Sequence, residues 1–135
     1  MALVMKTLIV EDDFVPRLVL QRALETFGTV DAATNATEGL AAFNFALQQG
    51  RPYQLVCLDI DMPDGSGLDV LKEMRHQEVE RQVPDELRAR VLMTSGHSEA
   101  DQVRSAFFNR SDGFLVKPID FEKLKAKLKG FGLIG

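Results

Sequence analysis

The stretch Leu55-Val56-Cys57-Leu58-Asp59-Ile60-Asp61-Met62-Pro63-Asp64-Gly65-Ser66-Gly67 decides the fold. Its first four residues are apolar on both faces, and the run is too short to be the core of a helix. That pattern suits a strand covered on both sides of a parallel sheet. The run then breaks into aspartates, a proline and glycines, the chemistry of a loop. Ser66 and Asp69 follow with the spacing of a helix start, ahead of Leu71 and Met74. Strand, acidic loop and helix in that order form the first part of a βαβ unit.

The same reading extends in both directions. Apolar runs at 7–10, 30–33, 91–94 and 114–116 repeat the buried-strand pattern. Between them lie segments of helical period. Asp13 is placed to cap a helix carrying Val15, Leu18, Val19, Ala23 and Phe27, with Pro16 tolerated in its first turn. Asn35 and Glu38 have capping-box spacing before Leu40, Phe43 and Leu47. Ser98 is placed before Val103 and Phe107, and Asp120 before Phe121, Leu124, Leu128 and Phe131. The alternation predicts an α/β fold, a doubly wound five-stranded parallel sheet with five helices and right-handed crossovers. The charged segment 77–90, with Pro84, reads as a helix extension followed by a surface loop.

Bulk properties narrow the function. The chain has 135 residues, 45% hydrophobic and 27% charged, which fits one domain with one core. A net charge of −4 argues against a nucleic-acid binder held by phosphate contacts. No apolar run approaches the roughly 20 residues that span a bilayer, and the N-terminus lacks the pattern of a secretory signal. Cys57 is the one cysteine, which excludes an intrachain disulfide and a zinc site of the usual cysteine type. Within its apolar run it reads as a small buried hydrophobe. A cytoplasmic location is the expectation.

In a doubly wound sheet, ligands bind outside the carboxyl ends of the strands. Glu11, Asp12 and Asp13 follow the first strand, Asp59 and Asp61 the third, Thr94 and Ser95 end the fourth, and Lys117-Pro118 follow the fifth. Carboxylates crowded on one rim repel unless a cation joins them. Mg²⁺ (or Mn²⁺) fits, because such an ion uses few carboxylates and keeps positions open for phosphoryl oxygens. An aspartate beside it is a nucleophile that forms an acyl phosphate, with Lys117 and Thr94 as donors to the phosphoryl oxygens.

These residues closely resemble a response-regulator receiver domain of the two-component and chemotaxis-regulator family, from Lys6 to about Lys129. The resemblance implies a flavodoxin-like topology and assigns each position. Glu11 and Asp12 match the metal-binding pair and Asp59 the phosphorylated residue. Met62-Pro63 and Gly67 match the loop that follows it. Thr94 matches the switch hydroxyl, Phe114 the aromatic that changes rotamer, and Lys117-Pro118 the lysine with its usually cis-linked proline. It also implies a metal ligand from the Asp61 backbone carbonyl, and phosphoryl lifetime tuned by Asp61 and Gly96. The expectation is a single receiver domain over 1–135, core 6–129, without an output domain, signalling through the face made by the fourth helix, fifth strand and fifth helix. Phe108 is the candidate contact on that face. Expected partners are a sensor histidine kinase or a histidine phosphotransfer protein and a downstream protein, with no nucleic acid or membrane. The chain is expected to be a monomer or a phosphorylation-dependent homodimer, and to assist its own phosphoryl transfer rather than act as an enzyme.

Two other readings use the same residues. Asp59-Ile60-Asp61 also resembles the haloacid-dehalogenase-type phosphatases, but the acidic motif those enzymes place after the lysine has no counterpart beyond Asp120 and Glu122. A pseudo-receiver would have lost functional residues, whereas every position here is filled by a competent one. The lysines at 123, 125, 127 and 129 read as a solvated face suited to a helix C-terminus.

Overall fold

The computed structural model describes residues 5–96 and 111–135. Five strands form one parallel sheet in the order β2-β1-β3-β6-β7: β1 Met5–Val10, β2 Gly28–Ala33, β3 Leu55–Asp59, β6 Arg90–Ser95 and β7 Gly113–Val116. A short antiparallel ribbon, β4 Asp61–Met62 with β5 Gly65–Ser66, stands at the end of β3. The helices are α1 Phe14–Glu25, α2 Ala36–Gln48, α3 Gly67–Glu80 and α4 Phe121–Gly130. The architecture is the flavodoxin-like one expected. Four of the five expected helices are seen, α4 being the last of them; the helix expected from Ser98, with Val103, Phe107 and Phe108, lies outside the described residues. No described helix is long and apolar enough to cross a membrane.

Period-two alternation along the strands divides the core into two layers. Leu8, Val10, Val56, Leu58, Val91 and Met93 face one side with Phe43, Leu71 and Met74 of α2 and α3. Ile9, Leu55, Cys57 and Leu92 face the other with Leu20 and Leu24 of α1 and Leu124 and Leu128 of α4. Each fully buried aliphatic side chain contributes about 1.5–3 kcal/mol of transfer free energy. The central strands are buried on both faces, as their continuous apolar runs predict.

The helix starts show where local signals hold. Asn35 accepts from the Glu38 N–H at 2.8 Å, but the Glu38 carboxylate reaches Thr34 rather than closing the box on Asn35. Ser66 and Asp120 cap α3 and α4. Asp13 occupies the N-cap position of α1 without a side-chain cap bond, contrary to expectation. Its own N–H goes to Glu11 Oε2 at 3.2 Å, and its side chain lines an acidic cleft instead. The stripe expected along α1 is also displaced. Leu20 and Leu24 enter the core and Ala23 and Phe27 pack beside them, while Val15 and Val19 are exposed. Mixed apolar residues on both sides of that helix blur its phase.

The segment 77–90 is a helix extension and then a loop, with a 3-10 turn at Asp85–Leu87. It is anchored from inside. Glu78, 1% exposed, accepts from the Ala89 N–H at 2.8 Å and pairs with Arg75 at 2.8 Å. Arg75 also donates to the Ala89 carbonyl at 2.7 Å and pairs with Asp112 at 2.9 Å, which in turn accepts from the Val91 N–H at 2.8 Å. One guanidinium thus ties α3, the extension and the approach to β7 together.

Candidate functional site

The carboxyl ends of β1, β3 and β6 and the residue after β7 converge on a cleft of about 470 Å³ lined by Glu11, Asp12, Asp13, Phe14, Asp59, Asp61, Gly96 and Lys117. Parallel register produces the convergence: Val10 lies beside Leu58, Asp59 beside Thr94, and Ser95 beside Val116. Carboxylate oxygens of Glu11, Asp12 and Asp59 come within 4.8 Å of one another. Among the described residues this acidic group has the spacing to hold a metal ion.

Electrostatics mark the group as short of a cation. Asp59 is 3% exposed, and burial with the neighbouring Glu11 carboxylate pushes its carboxyl up to about 7 against the relief that Lys117 gives. Glu11 is 1% exposed, and its Oε1 is buried. The Lys117 ammonium answers it by charge, 2.5 Å from that atom and 3.3 Å from Asp59 Oδ2. Burial works against the charge on Lys117, but its bonds to Glu11 and the charge of Asp59 outweigh burial and raise its pKa. Buried carboxylates that share one ammonium, an acid near neutrality and all-oxygen donors fit a hard divalent cation such as Mg²⁺.

The backbone around Asp59 is held from several directions. Ile60 N–H donates to the Thr94 carbonyl at 3.0 Å, and Asp61 N–H to Asp59 Oδ1 at 3.3 Å. Gly67 N–H donates to the Ile60 carbonyl at 2.7 Å, and a Cβ at Gly67 would collide with the Asp59 carbonyl. This close approach explains the glycine that ends the loop. Lys117-Pro118 is a cis peptide bond.

The structure therefore brings Glu11, Asp12, Asp59, Asp61, Gly96 and Lys117 into one cleft, with buried Thr94 on the adjoining strand. Asp61 is exposed, and a side chain added at Gly96 would meet nothing within 4 Å among the described residues. Phe114 is half-buried against the α2–α3 layer and does not line the cleft. Two contributors escaped the reading of the sequence. Arg17 Nη1 donates to the carbonyls of Glu11 and Asp12, each at 3.1 Å. Asp64, at the ribbon tip, accepts from Ala36 N–H at 2.8 Å and from Thr37 N–H at 3.0 Å, pinning the loop to the start of α2. Neither has a local signal: one looks like a helix-surface cation, the other like half of an Asp-Gly turn.

Comparison with known proteins gives this geometry a context. The family model described as response regulator receiver domain matches residues 7–129. The chain is 32% identical over 124 residues to the chemotaxis protein CheY-3 of Vibrio cholerae, covering 92% of this chain and 88% of that one. It is 29% identical over 131 residues to the hybrid signal transduction histidine kinase L of Dictyostelium discoideum, where 96% of this chain spans only 7% of the relative. The fold also matches a chain of the CheX-CheY-BeF3-Mg²⁺ complex from Borrelia burgdorferi, with a TM-score of 0.81 at 22% identity, covering 96% of this chain and 90% of that one.

Proposed function

Because the chain belongs to the response regulator receiver domain family, we propose that Asp59 is its phosphoacceptor and that phosphorylation there is the signal it passes on. The observation that carries the reading is the buried Asp59 carboxyl, raised to about 7 beside Glu11 and within reach of Lys117. Glu11 and Asp12 would hold a divalent cation together with Asp59 and the Asp61 carbonyl, Mg²⁺ or Mn²⁺ being the natural choice. Such an ion supplies positive charge at the phosphoryl oxygens and relieves the repulsion between the carboxylates.

The donor is a phosphohistidine on a sensor kinase or a histidine phosphotransfer protein. An Asp59 carboxylate oxygen attacks phosphorus, the P–N bond breaks, and its electron pair returns to the imidazole, which takes up a proton from solvent. Lys117 turns from its carboxylate partners to the new phosphoryl oxygens, and Thr94 donates its hydroxyl to another. Phe114, beside Met93 in register, then moves into space that Thr94 leaves, and the face around β7 and α4 changes shape for a downstream protein. Both the family match over 7–129 and the two-layered core support a single receiver domain.

Incubation with Mg²⁺ and acetyl phosphate should add one phosphoryl group, detected by intact mass and mapped to Asp59. Asp59→Asn should abolish the label, and Asp12→Asn should slow it greatly. A phosphate mapped to another residue of the wild-type protein would sink the assignment.

A further inference from the structure

Arg17 stands one turn into α1, yet its Nη1 turns back and donates to two consecutive peptide oxygens, those of Glu11 and Asp12, at 3.1 Å each. Its guanidinium lies 5.7 Å from the centre of the Phe14 ring, which flanks the same cleft. Those two peptide units carry the acid pair and lie after the end of β1 and before α1 begins. Beside them, Glu11 N–H donates to the Ala33 carbonyl at 3.0 Å, and Asp13 N–H, in the second of these peptide units, donates to Glu11 Oε2 at 3.2 Å. The side chain of Glu11 is fixed by Lys117, whereas Asp12 is exposed, so the aim of its carboxylate depends on how its backbone is held.

We propose that Arg17 is a positioning residue for the divalent cation: by clamping both carbonyls it sets the direction of the Asp12 carboxylate. The proposal rests on the reading that Glu11 and Asp12 hold that cation. Its sign is opposite to that of simple electrostatics. Arg17 is a positive charge near a cation site, so Coulomb repulsion alone makes its removal tighten binding. Positioning makes its removal weaken binding, by about 10–100-fold when the outer partner of a ligand is lost.

The experiment is a Mg²⁺ titration of the full chain, followed by amide chemical shifts, for wild type, Arg17→Met and Arg17→Lys. Arg17→Met should keep wild-type shifts outside the 11–17 turn and bind Mg²⁺ at least tenfold more weakly. Arg17→Lys, which keeps a charged donor without the planar fork, should fall between them. Equal or tighter binding by Arg17→Met overturns the proposal, as does weaker binding by Arg17→Lys than by Arg17→Met. If Arg17→Met does not fold, Arg17→Lys decides alone, and a wild-type affinity there counts against the clamp. A wild-type protein that ignores Mg²⁺ would instead overturn the cation reading itself, which separates the two failures.

Discussion

Asp59 is a carboxyl group that the fold makes reluctant to ionise. Its ordinary value is 3.8, and burial and Glu11 raise it to about 7 in the folded protein. Between those values the unfolded chain gives up this proton while the native state keeps it. The native state then binds more protons, so stability falls as pH rises through that window. For chelator-treated protein, Tm should therefore decline from about pH 4 to about pH 7 more steeply in the wild type than in Asp59→Asn. Superimposable profiles would show that the raised carboxyl is not Asp59. A second prediction concerns Asp61 and Gly96, which line the cleft beside Asp59. Asp61 carries a carboxylate able to orient a water, so the acyl phosphate should hydrolyse readily. Asp61→Lys would place an ammonium over the phosphoryl oxygens and exclude that water. A barrier raised by about 1.4 kcal/mol slows the loss about tenfold. Decay of phosphorylated protein after donor removal, in excess Mg²⁺, measures it; equal or faster decay in the mutant would refute this account.

Among the elements, the strands were the most legible; in the 77–90 segment the helix extension and loop were legible but their anchor was not. Runs such as Leu55–Leu58 announce themselves because both faces are apolar, and each of the five expected runs lies within an observed strand. The extension is different. Its anchor joins Arg75 to Asp112 across 37 positions in the chain, a pairing that no local period encodes. Glu78 looks like one more surface acid in a charged helix, yet it is buried and fully engaged. Arg75→Met should accordingly be costly, because it leaves a buried carboxylate without its counter-charge. Breaking a buried pair in this way costs about 3–5 kcal/mol. Against a typical total of about 5–15 kcal/mol, that is a large fraction. Urea unfolding should show the loss, and adding Glu78→Gln should recover part of it. A single mutant as stable as wild type would mean the network contributes nothing.

Across the whole molecule, the sheet is what joins chemistry to surface. Asp59, Thr94 and Leu115 lie side by side on β3, β6 and β7, which places Thr94 one strand from Phe114. Hydrogen bonds to charged groups are worth about 1.5–3 kcal/mol. Two of them approach the roughly 5.5 kcal/mol that inverts a 1:99 equilibrium. Thr94→Ala should thus accept phosphate at Asp59 but switch poorly, with chemical shifts around Phe114 staying near the unphosphorylated pattern. A full wild-type shift in the mutant would remove Thr94 from the coupling. The carboxylates, lysine and threonine of the site were legible because the topology sends the residues at strand ends to one rim. Arg17 and Asp64 were not, because each acts through peptide groups, whose placement follows only from the folded turn.

Cys57 lies in the middle of β3, 1% exposed, with burial pushing its thiol up to about 12. As the sole cysteine of the chain, it leaves the exterior chemically blank to thiol reagents near neutral pH. Any cysteine engineered onto the surface would carry a fluorophore or spin label by itself, with no need to replace the native residue. The unmodified core is therefore already a single-site scaffold on which distances between the acidic cleft and a partner can be measured.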